Sequence, residues 1–198
     1  MENNINRAFN DIAVRSAGGA PFLFAYGATF TFTAVLSFFL PKSMAALIAM
    51  FQGCAALPLA FWLEGSISRH IRRGRCSSGV GLPTLLSNNP LQHLSAQLAI
   101  SQVLALPALI VAYRLHPGAI PILLASLGGV HLFPYAWLHQ ARIYLFLSSA
   151  MSIGGFVIQL CLGTSAFSYI LLYIGTLYLL SAPFLYKRAA QLVDISQK

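Results

Sequence analysis

Acidic side chains are almost absent from this 198-residue sequence: Glu2, Asp11, Glu64 and Asp194 are all it holds. Charged residues of both signs make up 8% of it, against roughly 25% in an ordinary soluble domain. So few charges cannot clothe a water-exposed surface, which leaves lipid as the main solvent. Cysteine is scarce as well. Cys54, Cys76 and Cys161 contain no C-x-x-C pair and leave an odd count, which argues against a disulfide frame or a thiolate metal centre. There is no Walker loop, no G-x-S-x-G and no H-E-x-x-H, so the common phosphate, acyl-transfer and zinc-hydrolase signatures are missing. No metal and no cofactor is expected. No carboxylate falls at membrane depth, which argues against a carrier driven through a buried acid.

What remains is apolar: 58% of residues are hydrophobic and the mean hydropathy is +0.73. Six runs read as transmembrane spans, at about 21–40, 44–63, 91–113, 119–138, 143–162 and 166–186. Each has about the 20 residues that roughly 30 Å of hydrocarbon demands of a helix. Short polar turns separate most of them, and a basic, then Gly/Ser/Asn-rich, loop fills 65–90. The first run exceeds the usual signal-peptide core and no small-residue cleavage pattern follows it, so it is expected to stay as a span. Ahead of it, Ile5, Phe9 and Ile12 recur at helical spacing, with Arg7, Asp11 and Arg15 on another face. That pattern predicts an interfacial amphipathic helix over 1–19, ended by Gly18 and Gly19. The fold class is therefore all-α: one polytopic membrane domain of six transmembrane helices arranged as three hairpins.

The basic residues set the orientation. Ten of the twelve Lys and Arg residues fall on one side, among them Arg7, Arg15, Arg142, Lys187 and Arg188; only Lys42 and Arg114 fall on the other. The positive-inside rule then puts both termini in the cytoplasm, with the plasma membrane as the expected location. The same split explains the charge of +8 without nucleic acid. Arg69, Arg72, Arg73 and Arg75 stand in the basic loop, where they are candidates for contact with lipid headgroups. A weak repeat supports three hairpins. Spans 2, 4 and 6 end alike, at Pro58 to Glu64, Pro134 to His139 and Pro183 to Lys187, each with proline, aromatics and then a polar residue. Preference of proline and aromatics for the interface is the competing account of that likeness.

Polar residues inside the spans must find hydrogen-bond partners, so they are expected to face the interior. Gln52, Gln102 and His131 cost the most to desolvate and are the strongest candidates for a wet cavity. His131 lies 12 residues into its span, about 18 Å from the outer end. Pro134 leaves the Val130 carbonyl without its helical donor, and His131, Tyr135, Leu138 and Arg142 share a stripe if the bend is modest. Pro58, Pro107 and Pro183 free three more carbonyls, and four bent spans suggest a central cavity or gate. His139 and Arg142 follow where the chain re-enters water. Glu64, His93 and His139 fall near the same boundary, where an acid/base cluster acting on lipid-linked substrates is conceivable; no nucleophile accompanies them.

The run Pro134 to Arg142, with its motif H-x-x-P-x-x-W-x-H beginning at His131, resembles a family of small, uncharacterised bacterial six-helix integral membrane proteins. The resemblance implies the span count and supplies no catalytic residues. The function expected is a carrier or binding protein for a small neutral or amphipathic solute. Its site would be central to cytoplasmic, formed by Gln52, Gln102, His131, Tyr135, His139 and Arg142. An accessory subunit that binds another membrane protein or lipid is the alternative. So small a bundle is also compatible with a homo-oligomer.

Overall fold

The computed structural model describes residues 8–9, 11–13, 16–76 and 89–195. Its elements are helical throughout. Gly19, at φ 82°, turns the chain into α1 (Ala20–Leu36), with Pro21 in the first turn where a missing N–H costs nothing. A turn over 37–40 and an extended Pro41 lead into α2 (Lys42–Phe51). Gln52 breaks the winding for one residue but keeps helical dihedrals, so α3 (Gly53–Cys76) continues the rod. Asn89 caps α4 (Pro90–Ser101) by accepting from Leu91 N at 3.0 Å. A 3-10 turn at Gln102–Ala105 joins it to α5 (Leu106–Leu115), where Pro107 cannot donate to the Val103 carbonyl. Then come α6 (Ile120–Leu138), α7 (Ile143–Ser149), a π turn at Ala150–Gly154, α8 (Gly155–Leu162) and α9 (Ala166–Ile195).

Four stretches are long and apolar enough to cross a membrane: Ala17–Leu36, Lys42–Ile67, Pro117–Leu138 and Ile143–Gln191; Gln102–Leu115 is a shorter apolar helix. The 49-residue stretch does not run straight. Gly163, at φ 54° and ψ −120°, reverses it, and Tyr173 reaches back to the Ala150 carbonyl while Arg188 reaches the His139 carbonyl. Phe39, Leu104, Val130, Phe133, Phe156, Leu160 and Phe184 all point outward. An apolar exterior of that extent suits lipid.

In lipid no hydrophobic force draws helices together, so close backbone approach and internal hydrogen bonds must do it. The widest helix contact joins α1 to α9, the first and last long helices, and so closes the bundle. Its centre is a glycine crossing: a Cβ on Gly175 would stand 2.8 Å from Thr31 N and 3.0 Å from the Gly27 carbonyl oxygen. The Ser37 and Ser168 hydroxyls pair at 2.7 Å near one end. Close to them, Lys42 donates to the Thr164 carbonyl at 2.7 Å. The pair Gly128 and Gly129 of α6 gives the same closeness to the π turn, where a Cβ on Gly129 would meet the Ser148 carbonyl oxygen at 2.8 Å. Leu147, Met151, Ile170, Leu171 and Ile174 fill the core between these crossings.

Several expectations change here. Helix α3 runs on to Cys76, so the backbone of Arg69, Arg72, Arg73 and Arg75 is helical rather than part of a loop; their side chains lie outside the described residues, as do 77–88. Only Pro107 coincides with a break in α-helical winding, because α3, α6 and α9 continue through Pro58, Pro134 and Pro183. The amphipathic pattern over 1–19 falls partly outside the described residues. Within them, Ile12 and Ala13 are buried, at 3% and 4% exposure, so this part docks on the bundle. Thr33, Gln52, Ser148, Ser168 and Ser181 are buried as polar span residues should be. Ser101 and Thr176 instead face outward, each satisfied by a carbonyl of its own helix, those of Leu98 at 2.7 Å and Leu172 at 2.8 Å.

Candidate functional site

One end of the bundle gathers the end of α6, the start of α7, the last turns of α9, the start of α4 and the N-terminal segment. Helical spacing places His131, Tyr135 and His139 at successive i, i+4 positions along α6 and its end. Their rings form a ladder. His131 meets Tyr135 edge-on at 5.3 Å between centroids, and Tyr135 lies parallel to His139 at 5.8 Å and 9°. Tyr144, from α7, adds a fourth ring at 5.6 Å from His139. Tyr135 also donates to the Ser95 carbonyl on α4 at 3.3 Å.

His139 is the singular member. It is 3% exposed, and its Nδ1 has no hydrogen-bond partner. Burial, and then the Arg188 guanidinium nearby, push its imidazole down to about 4, so the ring is neutral at pH 7. A neutral imidazole carries one donor and one acceptor, and here the Nδ1 position is left unused. Beside it a small void, lined by Ala13, Gly18, His139, Leu185 and Arg188, has room for about one water molecule. Arg188 itself donates to the His139 carbonyl at 3.2 Å and to that of Gln140. A cation is thereby set against the orphan carbonyls that end α6.

Of the expected site residues, His131, Tyr135 and His139 come together. Gln52 is buried elsewhere, its side-chain oxygen 3.5 Å from the Thr33 hydroxyl on α1. Gln102 is half-buried in the 3-10 turn between α4 and α5. Arg142 is exposed and does not join the ladder. The stripe that was to carry it ends because Gln140, at φ 50°, terminates the helix two residues earlier. His139 was expected to meet water at the boundary and is instead covered. Glu64 is half-buried and His93 exposed, and among the described residues no hydrogen bond or ring contact joins either to His139. Sequence reasoning missed Tyr144, Arg188 and the N-terminal cover. Arg188 carried only a topology signal, and Tyr144 sat in an apolar run as one aromatic among many.

The family of unknown function designated DUF7010 matches residues 5–188. The chain belongs to that family. No curated protein and no solved structure matches it. The DUF7010 match takes in the whole ring ladder, Asn89 and the glycine crossing, and it ends on Arg188.

Proposed function

We propose that this DUF7010 protein is a six-span membrane protein, with both termini cytoplasmic, that binds and carries a small neutral or amphipathic solute at the His131, Tyr135 and His139 ladder. The observation that carries the reading is the buried His139 Nδ1 without a partner, set among stacked rings at one end of an apolar bundle. An unpaired polar atom in such a place costs free energy that a ligand or water donor recovers. Rings of His and Tyr suit a solute with an apolar body and a few polar groups. Six crossings follow if the stretch reversing at Gly163 counts twice and residues 90–115 cross once. The ten-to-two split of cations supports cytoplasmic termini.

The test is a thermal-stabilisation screen of the purified protein with neutral and amphipathic solutes, followed by uptake of the best one into proteoliposomes. Binding and uptake are expected to vanish in His131→Ala while the variant still elutes as a single folded species. Unchanged uptake in that variant overturns the reading. The second reading is an accessory subunit for another membrane protein or lipid, and it is favoured by the water-sized void beside His139. Purification as a stable complex, with no solute raising the unfolding temperature, decides for it.

A further inference from the structure

Helix α4, the 3-10 turn and α5 form one rod at the edge of the bundle, and of its described side chains over 91–115 only Leu109 is buried. One face packs inward. Leu98, Gln102, Leu106 and Tyr113 are half-buried on the side of Leu109, and the Ser95 carbonyl there accepts from Tyr135. The opposite face is bare: Gln97, Ser101, Leu104, Ala108, Val111 and Leu115 are all exposed, Leu104 at 79% and Leu115 at 80%. Steps of four and three residues alternate along them, which is the period of a seam between two helices. Small Ser101 and Ala108 alternate with larger residues and let a facing backbone come close. Other exposed stripes share this spacing, such as Phe146, Ser149, Ile153 and Phe156. Gln97 sets this one apart. It lies six residues past Leu91, about 9 Å into the crossing at roughly 1.5 Å per residue. Its carboxamide is exposed and makes no hydrogen bond among the described residues, whereas that of Gln159 donates to the Gly163 carbonyl at 3.0 Å. Hydrocarbon offers Gln97 no partner.

We propose that this face is the interface of a parallel homodimer, in which Gln97 of one copy pairs with Gln97 of the second at the inner end of a helix–helix seam. The proposal rests on residues 90–115 crossing once, as read above, and not on the solute site. Copies in one membrane share an orientation, so a two-fold axis along the membrane normal sets each seam residue opposite itself at the same depth. That symmetry suits a carboxamide. Its nitrogen donates and its oxygen accepts, so two of them satisfy each other reciprocally. The exposed polar group is therefore its own complement, and this selects a second copy as the occupant. Gln97, Leu104 and Val111 take one repeating position of the seam, while Ser101, Ala108 and Leu115 take the other. One polar residue in such a seam fixes its register and its number of strands. No charged residue stands among the six, so no like charges meet across the axis.

The dimer is tested without any solute. Single cysteines are placed in a chain whose Cys54, Cys76 and Cys161 are replaced by alanine, and membranes holding each variant are oxidised with copper phenanthroline. Leu104→Cys and Val111→Cys are expected to form covalent dimers, because each meets itself across the axis. Ile110→Cys, exposed next to Val111 but on another side of the helix, is expected to stay monomeric. Equal cross-linking at Val111 and Ile110 overturns the seam. In liposomes, single-molecule photobleaching over a range of protein-to-lipid ratios is expected to show roughly tenfold weaker association for Gln97→Leu. Association unchanged in that variant overturns the pairing. Ala108→Phe is expected to be monomeric, and if it elutes as a misfolded species Gln97→Leu decides, since leucine suits lipid and leaves the bundle untouched. Leu104→Cys is also treated with a membrane-impermeant maleimide. Reaction there overturns the crossing of 90–115 and the six-span reading with it. A protected Leu104→Cys that forms no cross-link overturns the dimer alone, and one that joins a protein of another mass overturns the second copy as the occupant.

Discussion

Acidification is the perturbation that reaches His139 most directly. In the unfolded chain the imidazole takes its proton near pH 6.5, whereas in the folded protein burial and Arg188 hold it to about 4. Between those values the unfolded state binds one more proton, so stability falls as the pH is lowered. Above pH 6.5 both states are neutral and His139 contributes no dependence. At about 1.4 kcal/mol per pH unit, the loss reaches about 2 kcal/mol at pH 5 and levels near 3 kcal/mol below pH 4. Parent and variant share every other titratable group, so the quantity to measure is a difference. His139→Phe keeps a ring between Tyr135 and Tyr144, removes the unpaired Nδ1 and cannot titrate. Thermal unfolding of the parent and the variant is followed from pH 8 to pH 4.5 by the fraction remaining monodisperse in detergent. The two are expected to match within about 1 kcal/mol at pH 8, since the imidazole Nδ1 has no bond to lose. At pH 5 the parent is expected to melt lower than the variant. Parallel pH curves would refute the reasoning, because they would mean that His139 gains its proton as easily folded as unfolded.

Two further stability predictions use the same assay. Gly175→Ala is expected to destabilise by about 2 kcal/mol, because its Cβ meets the Thr31 and Gly27 backbone, which cannot move without parting α1 from α9. Gly65→Ala, whose Cβ meets nothing within 4 Å on α3, is expected to stabilise slightly through helix propensity. Equal effects of the two changes would count against the crossing. Tyr144→Phe is expected to cost about 1–3 kcal/mol, as it strips the Gly18 carbonyl of a buried donor. A Tyr144→Phe protein melting with the parent would show that this carbonyl finds another partner.

What the sequence disclosed followed from period and length. The apolar runs, the turns at Pro41 and Gly163 and the inward placing of Gln52 and Thr33 needed only a 3.6-residue helix in a solvent that offers no hydrogen bonds. The His131, Tyr135 and His139 stack was legible for the same reason, since i, i+4 spacing on one helix makes neighbours without tertiary knowledge. The stripe failed at Arg142 because a single backbone angle, Gln140 at φ 50°, ends the helix, and no residue preference signals that angle there. The π turn at Ala150–Gly154 was equally silent; it begins at the carbonyl that accepts from Tyr173, 23 residues away. Contacts between distant segments lay beyond any local rule. Arg188 against the end of α6, Tyr144 on Gly18 and Asn89 on Asp11 join positions 49, 126 and 78 residues apart. These long-range contacts convert His139 from the boundary residue its position implied into a covered and unpaired one. A polar side chain at the end of a helix can thus become as covered as the core beside it once distant parts of the chain pack against it.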